Sequence, residues 1–321
     1  MRVPLRHLAL AAGVLALAAA ALAAGRNWLP PGALWAALGD PEGAGRMVWS
    51  LRLPRLLLGL FAGAALGLAG LTFQTLLRNP LASPDIIGVT QSAAFGAVAA
   101  MLAGGSTVLG AWAGGLCGMA LIGALAWDRR SGLSSRAVVL QGLGLAIFAS
   151  AGTEAMILRA NDGAAGMAMT WLTGTLNGAG WAEIGQAARI LPLMVPLLLA
   201  GRLLDRLEFT DDLARALGLR VAASRIALAL LAALVAAGAV SLAGPLGFVA
   251  LASGPLSRRL AGGRPAPVAA ALIGAGFVTL ADLLARAISP ATFLPTGLYT
   301  ALIGAPILLI VLAGEFRRNR S

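Results

Sequence analysis

Lysine is absent from this chain of 321 residues, and cysteine, histidine and tyrosine occur once each. Without lysine, the lysine-bearing phosphate loop of nucleotide-binding proteins cannot form, so any ATP that drives this protein must be bound by another chain. One cysteine, Cys117, and one histidine, His7, exclude a disulfide framework, a Cys/His zinc site and a Cys/His nucleophilic dyad. No catalytic constellation, cofactor site or metal site is therefore expected. Charge is scarce too, at 12% of residues, while 59% are hydrophobic and 42 are glycine. A soluble domain keeps a charged face on each surface helix, whereas this chain is apolar nearly throughout, so its outer solvent is expected to be lipid.

All 24 basic residues are arginine, giving a net charge of +11. Most of them gather in the gaps between apolar runs: Arg2 and Arg6; Arg78; Arg129, Arg130 and Arg136; Arg202 to Arg225; Arg258, Arg259 and Arg264; Arg317, Arg318 and Arg320. Such clustering fits cytoplasmic loops under the positive-inside rule and not a nucleic-acid groove, which would interleave aromatics. The first apolar stretch, His7 to Gly25, is long for the core of a cleaved signal and is expected to be a retained helix. Arg26 to Arg52, with Trp28, Trp35, Trp49, Pro30, Pro31 and Pro41, reads as an external loop along the interface.

Nine further apolar runs follow: Pro54 to Leu77, Asp85 to Ala103, Thr107 to Trp127, Arg136 to Leu158, Ile184 to Leu204, Ser224 to Ala243, Leu246 to Leu260, Pro267 to Ala287 and Thr296 to Gly314. With the first, they make about ten spans of about 20 residues, the Leu246 run being short. The expected fold is all-α, a single membrane domain over residues 1–321 with both termini in the cytoplasm. Glycines at four-residue spacing, Gly59, Gly63 and Gly67, then Gly110, Gly114 and Gly118, share one helix face and are expected to let a neighbouring helix approach closely.

Four features carry functional expectations. Asp205 to Arg225, DRLEFTDDLARALGLRVAASR, is the longest polar break in the second half. It predicts a short amphipathic helix, about residues 208–219, starting at Asp211 and Asp212 and stopped by Gly218. It is either a solvated connector or a docking element. Arg52 and Arg55 flank Pro54 at the external start of the second span, where a fixed pair of cations would point outward, either as interfacial anchors or to receive acidic residues of an external protein; Arg286 could join them. Asp282 has Arg286 one turn later, which predicts an intrahelical pair. Glu154 has no partner at that spacing and is the candidate pathway residue.

Four ordered blocks resemble the FecCD family of permeases, membrane subunits of importers for iron-siderophores, haem and vitamin B12. They are Arg52 to Gly96, RLPRLLLGLFAGAALGLAGLTFQTLLRNPLASPDIIGVTQSAAFG; the DDLARALGL segment; Ala243 to Gly262, AGPLGFVALASGPLSRRLAG; and Leu294 to Leu309, LPTGLYTALIGAPILL. The resemblance implies a type II ABC importer permease that pairs with a second permease, alike or paralogous. Two cytoplasmic ATPase subunits and a periplasmic or lipid-anchored substrate-binding protein would complete the assembly. It implies docking of the binding protein by Arg52, Arg55 and Arg286. It makes Asp211, Asp212, Leu213, Ala214, Arg215 and Gly218 the ATPase coupling helix, and Asn79, Leu81, Ser134 and Ser135 a cytoplasmic gate. Gly254-Pro255 stands where the family has Pro-His, and Thr210-Asp211 replaces Gly-Glu. The FVALASGPLSRR variant is similar to subunits of heterodimeric catecholate-siderophore importers. The competing reading is a proton-driven secondary transporter using Glu154 and Asp282.

Overall fold

The computed structural model describes residues 5–25, 28–43, 45–128, 132–133, 135–288 and 294–318, with side chains up to 310 apart from those of 127–128 and 132–133. Ser134, Arg2, Arg129, Arg130 and Arg320 lie outside the described residues. Between its turns and loops the described chain is helical, apart from a two-residue antiparallel pair, Trp127–Asp128 with Gly132–Leu133.

Its α-helices are, in order, α1 Leu5–Ala23, α2 Pro31–Gly39, α3 Leu53–Leu77, α4 Val89–Leu102, α5 Thr107–Leu125, α6 Ser135–Ile157 and α7 Asp162–Leu172. They continue with α8 Trp181–Leu199, α9 Gly201–Leu207, α10 Asp211–Ala216, α11 Val221–Ala243, α12 Val249–Leu260, α13 Pro267–Ile288 and α14 Thr296–Arg318. Seven helices among the described residues are long and apolar enough to cross a membrane: α1, α3, α5, α6, α8, α11 and α13. Two of the other expected spans, α4 and the described apolar part of α14, are shorter apolar helices, and α12 has only 12 residues.

The axis of the bundle is α3. It is apolar on all sides and buried along nearly its whole length, packed against α13, α11, α12 and α8. Its glycines have the expected role: a β-carbon on Gly63 would collide with the Gly274 carbonyl of α13, and one on Gly67 with that of Ala270. Absent side chains bring the two backbones together, and dispersion then accumulates over many close atom pairs. The face of α5 behaves likewise against Gly96 and Ser92 of α4.

Where the second span was expected to begin at Pro54, the helix starts earlier, through a π-helical turn over Val48–Arg52 in which the Leu53 N–H reaches back to the Val48 carbonyl. Proline has no N–H for the carbonyl four residues before it, and the wider turn spans that gap. The expected external loop thus holds a helix, α2, and this turn. Two more helices were not expected. In α7 the Asn161 side chain caps the start by accepting the Ala164 N–H at 2.9 Å, a cap followed by Asp162 in the first turn. The expected Ile184 to Leu204 run is divided between α8 and α9 at Ala200.

Candidate functional site

One end of the bundle gathers most of the described arginine clusters. Arg6 donates to the Leu260 carbonyl at 3.3 Å, placing a cation at the C-terminal end of α12, where the helix dipole favours it. Arg258 of α12 pairs with Glu208 and donates to the Thr75 hydroxyl at 2.5 Å. Arg78, just beyond α3, reaches the carbonyls of Leu207 and Phe209 and the Asp211 carboxylate, the last at 3.2 Å. Arg225 of α11 grips that carboxylate from the other side through both terminal nitrogens, at 2.7 and 3.0 Å. The pKa of Asp211 is lowered from the usual carboxylate value, first by the Arg225 hydrogen bond and then by the charges of Arg225, Arg78 and Arg215, against the opposing effect of burial.

The polar break does form a helix, but α10 is a single short element of six residues, closed by Gly218 at φ +83°. Its two faces differ. Ala214 is buried and Asp211 turns inward, while Asp212, Leu213, Arg215, Ala216 and Leu217 face outward, with Phe209 exposed beside them. Leu213, Leu217 and Phe209 are each a little under half exposed, an apolar patch on an otherwise charged end of the molecule.

Asn79 and Ser135 line a cleft of about 260 Å³ together with Arg136, Val139, Leu140 and Leu143 of α6. Two of the four expected gate residues are thereby brought together. Leu81 lies next to them, its N–H donated to the Asn79 side chain at 2.9 Å. Asp85 sits in the turn ahead of α4, outside the membrane-spanning helices, and burial pushes its carboxyl up to about 6, partly offset by the Thr90 hydroxyl. A carboxyl whose folded-state pKa is raised above its unfolded value costs stability when charged. That cost is full above about pH 6 and vanishes below the unfolded value near 4. Asp85→Asn is therefore expected to raise the thermal midpoint in detergent at pH 7.5, by about 1–2 kcal/mol of stability, with the advantage over the parent shrinking toward pH 4.

At the opposite end, the arginines expected to point outward turn inward. Arg52 is only 8% exposed and donates to the Leu22 and Ala23 carbonyls at 2.8 Å. Arg286 donates to the carbonyls of Ala21 and Ala24 at 3.1 and 2.9 Å, so both guanidinium groups satisfy the last carbonyls of α1. Arg55 forks onto Asp282, with its nearest contact at 2.8 Å, and donates to Asn177 at 2.7 Å. Asp282, 4% exposed, also takes Arg286 at 3.1 Å and the Thr296 hydroxyl at 3.1 Å. The intrahelical pair is present, but a cross-helix partner and Thr296 share the same carboxylate. Glu154 is exposed on α6, whose outer face also shows Leu140, Ile147 and Phe148.

The family's Pro-His position reads here as a packing change. Gly254 leaves room for the Gln74 side chain, which a β-carbon there would strike and which donates to the Leu251 carbonyl at 3.1 Å.

Seven apolar helices of membrane-crossing length, glycine-faced packing around α3 and a charged end bearing exposed apolar side chains define a polytopic helical membrane protein. Residues 13–314 match the FecCD transport family, and the chain belongs to it. It is thus a permease of the ABC-transporter class, a transport subunit and not itself an enzyme. The chain is 37% identical over 294 residues to the ferric enterobactin transport system permease protein FepG of Escherichia coli, covering 88% of each. It is 41% identical over 265 residues to the Fe(3+) dicitrate transport system permease protein FecD of the same organism, covering 79% of this chain and 81% of that one. A solved metal-chelate type ABC transporter in an inward-facing conformation superposes with a TM-score of 0.83 at 28% identity, over 97% of this chain and 99% of that one.

Proposed function

We propose that this chain is the gated, membrane-spanning subunit of an ATP-driven bacterial importer for a ferric siderophore or a similar metal chelate. In this reading about ten helices cross the cytoplasmic membrane, the arginine-rich end and both termini are cytoplasmic, and a second permease completes the path. The observation that carries it is α10. A helix pinned from behind by Asp211 presents Leu213, Leu217 and Phe209 outward, which suits the groove of a soluble ATPase better than lipid headgroups. Relatives named for ferric enterobactin, ferric dicitrate and vitamin B12 transport support a chelate of that class. The cleft between Asn79 and Ser135 at the start of α6 is the cytoplasmic gate, with Leu81 beside it and Glu154 further along the path; Ser134, outside the described residues, is assigned to the gate from the sequence alone. ATP binding on the partner chains rearranges the helices so that the path opens to one side at a time.

At the external end Arg55 and Arg286 share one carboxylate, Asp282, while Arg52 donates to the Leu22 and Ala23 carbonyls close by. The positive charge of Arg55 and Arg286, two cations on one carboxylate, attracts an acidic surface of the substrate-binding protein and steers its approach to this end, where Arg52 also lies. The test of the central assignment is physical association. Leu213→Asp with Leu217→Asp is expected to remove the ATPase from the purified complex, lowering its affinity by about 100-fold or more, because two buried anchors become charged. An ATPase that still co-purifies in full would sink the assignment of α10.

A further inference from the structure

The charged end contains a connection that the docking reading leaves unused. Resting on that reading of α10, we propose that Asp211 is a positioning residue that ties the docking helix to the cleft through Arg78, and is not part of the docking face itself. Arg78 is the residue between α3 and Asn79, so any shift of its backbone moves a wall of the cleft. Its backbone is left-handed, φ 49° and ψ 39°, which a non-glycine residue adopts only against a steric cost. The guanidinium is thereby aimed away from the helix axis at three acceptors in one short segment, the Leu207 and Phe209 carbonyls and Asp211.

Asp211 in turn is shared. One carboxylate carries the end of α3 through Arg78 and the start of α11 through the Arg225 fork, with Arg215 of α10 at 4.0 Å. Asp212 makes the contrast: its side chain is 96% exposed and meets only Arg215 among the described ion pairs. A second strut parallels the first, since Arg258 of α12 holds Glu208 and Thr75 together. A push on α10 therefore reaches Asn79 through one side-chain pair, without passing through the length of a membrane helix. The Arg225 fork fixes the carboxylate from α11, and Arg78 completes the link with one charge-assisted contact at 3.2 Å.

The test uses the complete complex with its ATPase partner, in a Cys117→Ser background with Leu140→Cys as a reporter on the far wall of the cleft. Labelling by a membrane-impermeant maleimide is timed without nucleotide and with ATP plus vanadate. The parent is expected to change its labelling rate by about fivefold or more between the two. In Asp211→Asn and in Arg78→Gly, which relieves the backbone while deleting the side chain, that ratio is expected to fall close to one while the ATPase still co-purifies and hydrolyses ATP. The double variant should fall no further, as two ends of one link. Arg78→Lys, which keeps the charge but not the guanidinium that reaches all three acceptors, should fall partway and serves where Arg78→Gly does not accumulate. A full nucleotide response in Asp211→Asn, additive losses in the double variant, or loss of the ATPase from Asp211→Asn would each overturn the proposal. A parent without any nucleotide response, or an ATPase that survives the Leu213/Leu217 double substitution, would instead overturn the reading on which it rests.

Discussion

Asp282→Ala is expected to prevent accumulation of folded protein. The substitution leaves the guanidinium groups of Arg55 and Arg286, each less than one-fifth exposed, facing one another without their shared anion. Breaking a buried pair by removing one partner costs about 3–5 kcal/mol, comparable to much of a domain's stability. The damage also spreads, because Arg286 orders the C-terminal carbonyls of α1, and Thr296 at the start of α14 loses its acceptor. Asp282→Asn keeps the shape and one acceptor oxygen and should lose less. Size-exclusion profiles and thermal midpoints in detergent read both, and a wild-type midpoint for Asp282→Ala would show that the network is not structural.

The second large effect concerns the contact between α3 and α13. Gly63→Leu puts a branched side chain where the Gly274 carbonyl already lies, and neither backbone can retreat without moving helices packed behind it. Overpacking of a buried site costs about 1–3 kcal/mol where side chains can adjust, and more where the obstacle is backbone. We expect at least ~3 kcal/mol and no monodisperse protein. Gly13→Leu is the matched control: it sits in α1 with open space around it, so the same change should be silent. Equal behaviour of the two variants would mean that the glycine spacing reflects composition and not packing.

These variants mark how far the sequence could be read. The long apolar helices were legible because apolar length is a local signal, and the glycine rows were legible because four-residue spacing is local too; the short helices α2, α7 and α9 were not. The intrahelical Asp282–Arg286 pair was found for the same reason. Arg55 was not matched to Asp282 because 227 residues separate them, and only packing of α3 on α13 makes them neighbours. Nor could residue type show that α3 is enclosed by protein while α1 and much of α6 expose leucines, since lipid and protein interiors are equally apolar. The inward turn of Arg52 and Arg286 has the same origin: the sequence shows cations beside a membrane, but the α1 carbonyls that capture them appear only in the fold. The start of α7 did leave a signal, Asn161-Asp162-Gly163, that reads as a cap followed by an acidic first turn.

The two ends of the molecule divide the work in this account. One fastens α1 and α14 around a single carboxylate, and the other exposes an apolar helix backed by an ion-pair link to a cleft. The energy source is what separates it from a proton-driven carrier. The most direct test reconstitutes the chain with its ATPase partner in proteoliposomes and follows ferric enterobactin, ferric dicitrate and vitamin B12 with the binding protein present. The expected result is uptake of one of these that requires ATP and the ATPase and persists when a protonophore collapses the proton gradient. Uptake by this chain alone, abolished by the protonophore and indifferent to ATP, would contradict it.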